Sequence, residues 1–282
     1  MYARPADLEA ALALLAEPGA RILAGGTDVF PAAGERPLSG RHVDVTGIKG
    51  LRALRVAPDA IRIGAALTWS DIARADLPPA FDALKEAARE VGGAQIQNRG
   101  TIAGNLCNAS PAADGVPPLL VLDAEIEIAS LRGARRLPLA QFIAGNRRTA
   151  LAPGEIVTAI VVPAPTPGMG SIFLKLGARR YLVISIVMVA ILLDIDSSVV
   201  REARVAVGAC SAAAMRLPAV ERRLAGAPAR AGLGDIVAAE DLAAVAPIDD
   251  LRATAEYRRD AALTLVRRAV EARLAGQAGG IV

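Results

Sequence analysis

The chain has 282 residues, of which 53% are hydrophobic and 22% are charged, and its net charge is +3. This composition predicts a globular protein with two or three compact units and excludes a disordered chain. The basic residues are mostly arginines interleaved with acids, so we expect no nucleic-acid-binding stripe.

Metal-ligating side chains are scarce in this sequence. Two cysteines, Cys107 and Cys210, and one histidine, His42, are too few for an iron–sulfur cluster or a convincing zinc site. We therefore predict no metal site, and we expect Cys107 to be a small buried filler rather than a nucleophile. The N-terminal residues lack a secretory signal pattern, which favours a cytoplasmic protein with reduced thiols.

The first elements of the sequence predict a small α/β unit. Asp7 precedes Leu8, Leu12 and Leu15, whose spacing indicates one helical face, and a strand is expected over 21–24. A second strand is expected near 42–46. Further along, apolar or alternating runs predict strands over 60–67, 124–130 and 156–162, and a helix over 82–91.

The predicted strand at 21–24 runs directly into Gly25-Gly26, followed by Thr27 and Asp28. Glycines let a ligand approach the backbone closely, because no side chain blocks the N–H groups. Taken alone, this Gly-Gly-Thr-Asp segment is equally consistent with a structural turn.

A second glycine-rich stretch, Asn98 to Asp114, follows the predicted helix at 82–91. Gly100 and Gly104 flank Thr101, and Asp114 is placed to meet ligand hydroxyls, so we interpret the stretch as a ligand loop. Two such loops predict a long, phosphate-bearing ligand. Neither contains Gly-x-Gly-x-x-Gly, so a Rossmann fold is not predicted.

The clearest linker lies at 163–170, which is dense in proline and glycine. Beyond it we expect strands over 171–178, 184–194 and 201–210. The apolar segment 182–193 is shorter than the roughly 18 to 20 residues that span a membrane, so it predicts a buried strand and no membrane span. Helices are expected over 218–225, 235–243 and 254–276, and strands followed by helices indicate an α+β unit.

Both loops resemble the FAD loops of the flavin-binding medium subunit of molybdenum hydroxylases, in order and spacing. That family contains xanthine dehydrogenase, carbon monoxide dehydrogenase and 4-hydroxybenzoyl-CoA reductase. The matching residues are Leu23-Ala-Gly-Gly-Thr-Asp28, Asn98-Arg-Gly-Thr-Ile-Ala-Gly-Asn105 and Ala109-Ser-Pro-Ala-Ala-Asp114. Lys175 with Arg179-Arg180 resembles the family's later Lys-x-x-x-Arg-Arg element.

The resemblance implies an α+β fold with two domains. Residues 1–165 would form a FAD-binding domain of the p-cresol methylhydroxylase (PCMH) or vanillyl-alcohol oxidase (VAO) type, with subdomains of about 1–55 and 56–165. Residues 171–282 would form a domain like the C-terminal domain of the CO dehydrogenase flavoprotein, with a three-stranded antiparallel sheet and helices.

The resemblance also implies the FAD-binding residues, with no catalytic residue and no metal ligand. The segments 22–28 and 101–105 would grip the pyrophosphate, Asp114 would bind ribityl or ribose hydroxyls, and Lys175 would lie near the flavin. The implied set is Ile22, Leu23, Ala24, Gly25, Gly26, Thr27, Asp28, Val91, Thr101, Ile102, Ala103, Gly104, Asn105, Ser110, Asp114, Val157 and Lys175.

Two positions depart from the family pattern. Ala103 replaces a usual glycine, which is a mild change if the local φ is negative. Val183 replaces an acidic residue found in many members, so a polar contact near the flavin is missing. Tyr181 is expected in the core, with the covering of one flavin face as the alternative.

The implied function is electron transfer in a heteromeric molybdenum hydroxylase, as a dimer of heterotrimers. Electrons would come from [2Fe–2S] clusters of a small subunit, after substrate oxidation in a molybdenum-cofactor large subunit, and would pass through FAD to NAD⁺, oxygen or another acceptor. Two alternatives stay open: a self-sufficient flavin oxidoreductase of the same fold, and a flavin-free scaffold subunit.

Overall fold

The computed structural model describes residues 1–276 and 280–281 and confirms the mixed α+β fold. Its first part is a small α/β unit in which β3 lies between β1 and β2 and pairs with both in parallel. The elements are β1 (Tyr2–Ala3), α1 (Leu8–Leu15), β2 (Ala20–Leu23), α2 (Val29–Ala33) and β3 (Arg41–Asp44).

Helix α1 forms as its sequence predicts. The Asp7 carboxylate accepts a hydrogen bond from the backbone N–H of Ala10 at 2.9 Å, which caps the helix N-terminus. Leu12 and Leu15 are buried against the sheet side of the unit. Strand β2 ends at Leu23, so the first glycine loop begins where the sheet ends.

The second part is built on an antiparallel sheet with the strand order β4-β5-β10-β6-β7. Helices and a small β8–β9 hairpin surround it. The elements are β4 (Leu54–Val56), β5 (Ala60–Gly64), α3 (Trp69–Arg74), α4 (Asp82–Glu90), α5 (Ala94–Gln97), α6 (Ile102–Asn108), α7 (Val116–Val121), β6 (Glu125–Ser130), β7 (Gly133–Pro138), α8 (Leu139–Phe142), β8 (Ile143–Gly145), β9 (Arg148–Thr149) and β10 (Ile156–Pro163).

The third part contains the three long antiparallel strands expected from the sequence, with one two-residue strand at each edge. Its elements are β11 (Met169–Leu176), β12 (Val187–Asp196), β13 (Val199–Gly208), β14 (Met215–Arg216), α9 (Pro218–Leu224), α10 (Ala255–Leu274) and β15 (Gly280–Ile281).

This third sheet is covered on both faces. Phe173 and Met188 belong to the core shared with the second sheet, whereas Ile172 and Val187 belong to the core under α10. Because successive side chains of a strand point to opposite faces, two covered faces require a continuous apolar run. The run that ends at Leu193 therefore matches a buried strand, as predicted.

Several sequence-based boundaries are wrong. The helix expected over 235–243 is two 3₁₀ turns, Leu233–Ile236 and Ala239–Leu242, because Val237 between them is extended. The stretch interpreted as one loop, 98–114, contains the helix α6. Strand β12 begins at Val187, and residues 182–184 before it are outside the strand.

Tyr181 is not a core residue, since 66% of it is exposed. The Arg180 guanidinium lies 5.4 Å from the centroid of its ring, and the Tyr181 hydroxyl accepts a hydrogen bond from Arg180 Nε at 3.1 Å. The adjacent Leu182 has φ +53°. Tyr181 and Leu182 lie between β11 and β12, outside both strands, so the side-chain alternation that buries strand residues does not apply to Tyr181.

Candidate functional site

A cavity of about 660 Å³ is lined by both glycine-rich segments, by part of β10 and by residues 182–184. Its volume lies within the roughly 300–1,000 Å³ typical of small-molecule and cofactor sites. Its lining therefore brings together segments from all three parts of the fold.

The two glycine-rich segments touch each other at this cavity. A Cβ atom on Gly25 would overlap the carbonyl oxygen of Arg99 and would lie 2.9 Å from Cα of Gly100. From the other side, a Cβ atom on Gly100 would lie 3.4 Å from Oγ1 of Thr27. Glycine at position 25 is thus required by the close approach of two backbones.

The first segment, residues 24–28, leaves its backbone N–H groups available. Gly26 has φ +75°, a left-handed conformation that favours glycine. Within the described residues, the N–H groups of Gly25, Gly26 and Thr27 donate no hydrogen bond. Successive free N–H groups in a turn form an anion-binding concavity.

The second segment is organised differently. Thr101 is the N-cap of α6, and its Oγ1 accepts a hydrogen bond from the N–H of Gly104 at 3.1 Å. The N–H of Ile102 donates to the carbonyl of Leu67 at 3.0 Å, and that of Ala103 donates to Ala65 at 3.3 Å. These donors are already used inside the protein, so the second segment contributes shape and side chains more than free N–H groups.

Ala103 lies inside α6 and is absent from the left-handed residues of the described chain. The departure from glycine at this position is therefore the mild case considered above. Asn105, two residues further on, lines the cavity, and its buried Oδ1 has no hydrogen-bond partner within the described residues. A buried acceptor without a partner is costly, so a ligand donor would stabilise it.

Asp114 lines the cavity while both of its carboxylate oxygens are engaged by residues of the third part. Lys175 Nζ lies 2.7 Å from Oδ2, and the Ser185 hydroxyl donates to Oδ1 at 2.6 Å. Lys175 Nζ also donates to the carbonyl of Glu90 at 3.3 Å. Burial raises the pKa of Asp114, and the ion pair and hydrogen bonds from Lys175 and Ser185 act in the opposite direction.

Most residues of the implied FAD set meet at this one cavity. Those that line it are Ile22, Ala24, Gly25, Gly26, Thr27, Asp28, Val91, Thr101, Ala103, Gly104, Asn105, Ser110, Asp114 and Val157. Leu23, Ile102 and Lys175 are buried and do not line it. Lys175 has 1% exposure, so its charge reaches the cavity through Asp114 rather than by direct contact.

Sequence reasoning missed other lining residues. Arg147 lies in the turn between β8 and β9, and Asn108 ends α6. Trp69, the single tryptophan, also lines the cavity and packs against Gly115. A Cβ atom on Gly115 would overlap the Trp69 ring. Arg147 belongs to one of six Arg-Arg pairs in the chain, so the sequence gives no signal that separates it from solvated arginines.

Cys107 also lines the cavity, and burial raises the pKa of its thiol to about 12. A thiol with so high a pKa is almost entirely protonated near neutral pH, so it is not a nucleophile. Among the residues that the structure describes, no group of three or more His, Cys, Asp or Glu side chains is arranged to hold a metal ion. No helix in the same residues is long and apolar enough to cross a membrane.

The residues present fit the FAD implied by the resemblance. The turn at Gly25–Thr27 offers free donors for a diphosphate, and the glycines leave space that Cβ atoms would fill. Asn105 and Asp114 offer acceptors for hydroxyl groups on the cavity wall. The walls near Val91 and Val157 are apolar, as a flat aromatic ring system requires.

Comparisons with known proteins agree with this geometry. Residues 1–165 match the family described as the FAD binding domain in molybdopterin dehydrogenase, and residues 172–272 match the CO dehydrogenase flavoprotein C-terminal domain. The first match ends within the proline-rich stretch at 163–170, and the second begins just after it.

Two curated relatives and one solved structure illustrate the similarity. The xanthine dehydrogenase FAD-binding subunit of Escherichia coli O157:H7 is 32% identical, over 99% of this chain and 97% of the relative. The carbon monoxide dehydrogenase medium chain of Hydrogenophaga pseudoflava is 30% identical, with 96% of each covered. The structure of reconstituted CO dehydrogenase from Oligotropha carboxidovorans superposes with a TM-score of 0.90 at 29% identity, covering 97% of each chain.

Proposed function

The chain belongs to the family of FAD-binding subunits of molybdopterin dehydrogenases, and from this premise we propose how it binds FAD and moves electrons. The resemblance found in the two glycine loops is thereby confirmed. The protein is an FAD-binding oxidoreductase subunit of the molybdenum hydroxylase family.

We propose that FAD occupies the cavity between the two glycine segments. The Gly25–Thr27 turn would hold the diphosphate, Asp114 would accept hydrogen bonds from ribityl or ribose hydroxyls, and Val91 and Val157 would contact the ring system. Leu23 and Ile102 would support the loops from behind. Lys175 would hold the Asp114 carboxyl group in position beside the cofactor through their 2.7 Å contact.

We propose that electrons arrive singly from [2Fe–2S] clusters of a partner subunit and leave to NAD⁺, oxygen or another acceptor. Bound FAD supplies the redox chemistry, because flavins exchange electrons one or two at a time. The chain's own residues bind and orient the cofactor and exclude water from it. Val183, which lines the cavity where many family members carry an acid, leaves this wall apolar.

The chain is a subunit of a heteromeric complex, as the names medium chain and FAD-binding subunit of its relatives indicate. We propose that its partners are a molybdenum-cofactor large subunit and a [2Fe–2S] small subunit, in a dimer of heterotrimers. Two cysteines cannot supply the ligands of a cluster, which supports placing the clusters in a partner. The two free thiols agree with a proposed cytoplasmic location.

We also propose a division into a FAD-binding domain over residues 1–165 and a C-terminal domain over 171–282. The ranges of the two family matches support this division. Within the first domain, the separate sheets β1-β3-β2 and β4-β5-β10-β6-β7 support subdomains of about 1–55 and 56–165.

The contact between Gly25 and Arg99–Gly100 carries this proposal, because it joins both loops at one cavity. The test is to purify the complete complex, remove its FAD and reduce it with the substrate of the molybdenum subunit. We expect the iron–sulfur absorption to bleach while the acceptor stays oxidised, and added FAD should restore acceptor reduction.

The alternatives give different results in this test. If the chain were a flavin-free scaffold, the purified complex would show no flavin absorption. Its rate of acceptor reduction would not change when FAD is added. A self-sufficient flavin oxidoreductase would reduce its own substrate as an isolated FAD-loaded chain. Either result would contradict the proposed electron path.

A further inference from the structure

Arg147 is the one residue with a positively charged side chain among the described residues that line the main cavity. Two acids, Asp28 and Asp114, line the same cavity. Asp114 is paired with the buried Lys175, which does not itself line the cavity, whereas Asp28 forms no salt bridge within the described residues. The first glycine loop therefore carries a net negative side-chain charge at the place where a diphosphate would bind.

A bound diphosphate adds about two further negative charges. Three free backbone N–H groups of the first loop supply only partial positive charge. The corresponding N–H groups at Ile102, Ala103 and Gly104 are already hydrogen-bonded within the protein. A cation beside the first loop would offset this negative charge, and Arg147 is the cationic side chain that lines this cavity.

The structure holds the Arg147 side chain between the two loops. Its Nη1 donates hydrogen bonds to the side-chain oxygen of Asn108 and, at 3.3 Å, to the Asn108 carbonyl. Asn108 in turn donates from Nδ2 to Oδ1 of Asp28 at 2.7 Å. The chain Arg147–Asn108–Asp28 thus links the β8–β9 turn, the end of α6 and the first glycine loop.

The backbone of Arg147 is also fixed. Its N–H donates to the carbonyl of Ala109 at 2.8 Å, and its φ is +58°. A non-glycine residue in this conformation costs energy that glycine would avoid. An arginine at such a position is explained if its side chain has a use that glycine cannot provide.

We propose that Arg147 is the counter-ion of the cofactor diphosphate, with Asn108 as the residue that positions its guanidinium. This inference rests on the proposed FAD site and adds a cationic residue to it. A guanidinium offers a planar fork of donors that suits phosphate oxygens, and charge-assisted hydrogen bonds of this kind are the strong ones.

The neighbouring Arg148 provides a matched control. It is exposed like Arg147, but it does not line the cavity, and its Nη2 donates to the carbonyl of Ala144 within its own hairpin at 3.3 Å. Removing its charge changes the net charge of the protein by the same amount. It therefore separates a local counter-ion from general electrostatic attraction.

The experiment measures the dissociation constant of FAD for the purified full-length chain and for Arg147→Gln, Arg147→Lys and Arg148→Gln, at low and high salt. We expect Arg147→Gln to weaken FAD binding by about ten- to hundredfold at low salt, while Arg148→Gln binds like the unchanged chain. Arg147→Lys should bind FAD with an affinity between those of the unchanged chain and Arg147→Gln, because lysine keeps the charge and loses the planar fork of donors. The salt dependence should be smaller in Arg147→Gln.

The melting temperature of the FAD-free chain is measured alongside and should be the same for Arg147→Gln and the unchanged chain. Equal FAD affinity of the two would overturn the inference. So would an Arg147→Lys variant as weak as Arg147→Gln, an equal loss in Arg148→Gln, or a loss explained by a lower melting temperature. If the unchanged chain binds no FAD at all, the proposed function itself fails, which is a distinct result.

Discussion

Gly25 lies directly against the main-chain carbonyl of Arg99, although the two residues are far apart in the sequence. No side chain fits between them, so the two glycine segments meet through their backbones. This contact closes the cavity on one side and places free N–H groups and the cavity acceptors around the same space.

Replacing Gly25 with alanine should separate the two segments. Overpacking of this kind costs about 1–3 kcal/mol, which corresponds to roughly a five- to hundredfold loss of FAD affinity if it is relieved by moving the loops. The measurement is FAD binding by fluorescence quenching. Gly50→Ala is the control, because a Cβ atom on Gly50 meets nothing within 4 Å and the φ of Gly50 is not left-handed. Equal FAD affinity in Gly25→Ala and Gly50→Ala would refute the role of the contact between Gly25 and Arg99.

Gly26→Ala should lower both stability and FAD affinity. Its φ of +75° penalises a side chain by about 1–2 kcal/mol, and the new Cβ atom would overlap the Phe30 ring. Gly19→Ala has a matched φ of +77° and nothing within 4 Å. We expect both variants to melt below the unchanged chain, with Gly26→Ala the lower of the two because of the Phe30 overlap, and we expect FAD affinity to fall only in Gly26→Ala. The same FAD affinity in Gly26→Ala and Gly19→Ala would show that the turn does not hold the cofactor.

Lys175→Met should destabilise even the FAD-free chain. The substitution leaves the buried Asp114 carboxylate without its cation, and breaking a buried ion pair in this way costs about 3–5 kcal/mol. The measurement is urea unfolding at pH 7. The double variant Lys175→Met/Asp114→Leu should recover most of the free energy of unfolding, because no unpaired buried charge remains.

The outcome that contradicts this account is a Lys175→Met chain as stable as the original. That result would mean that the contact between Lys175 and Asp114 does not stabilise the FAD-free chain. FAD affinity of the double variant reports separately on Asp114, and we expect it to fall because the cavity loses an acceptor.

Glu127 should contribute to the acid sensitivity of the second sheet. Burial alone would raise its pKa, but hydrogen bonds from Arg62, Thr158 and Arg136 outweigh burial and lower the pKa to about 2. A lowered folded-state pKa means that this stabilisation is present above the ordinary value of 4.5 and is lost as the pH falls towards 2.

Glu127→Gln should therefore reduce the free energy of unfolding at pH 7 by on the order of 1 kcal/mol, after allowance for solvent screening. It should also flatten the fall in stability between pH 4.5 and 2. Urea unfolding across this pH range tests both effects. A variant with the original pH profile would show that the ion pairs of Glu127 do not stabilise the sheet.

Much of the fold was predictable because apolar periodicity determines where strands and helices can be buried. The run before Leu193 predicted a strand covered on both faces, and Asp7 predicted the start of α1. Helix α6 was missed because its glycine and asparagines are typical of loops. Its signal was Thr101, whose side chain caps the helix by accepting from Gly104.

The site was predictable where glycines mark close backbone approach, and less so where partners come from distant segments. Asp114 and Lys175 are 61 residues apart, and no local pattern shows that they form an ion pair instead of each facing the cofactor. In the sequence, Arg147 cannot be distinguished from the other paired arginines. Only the folded structure shows that the β8–β9 turn places it at the cavity. Such long-range pairings depend on the tertiary fold.

The most direct test of the account is amide hydrogen exchange of the purified chain with and without FAD, resolved to short peptides. If both loops enclose one cofactor, FAD should slow exchange in peptides covering 24–28, whose free N–H groups exchange fast without it, and also in peptides covering 100–108. Protection of one segment alone, or of neither, would contradict a shared site.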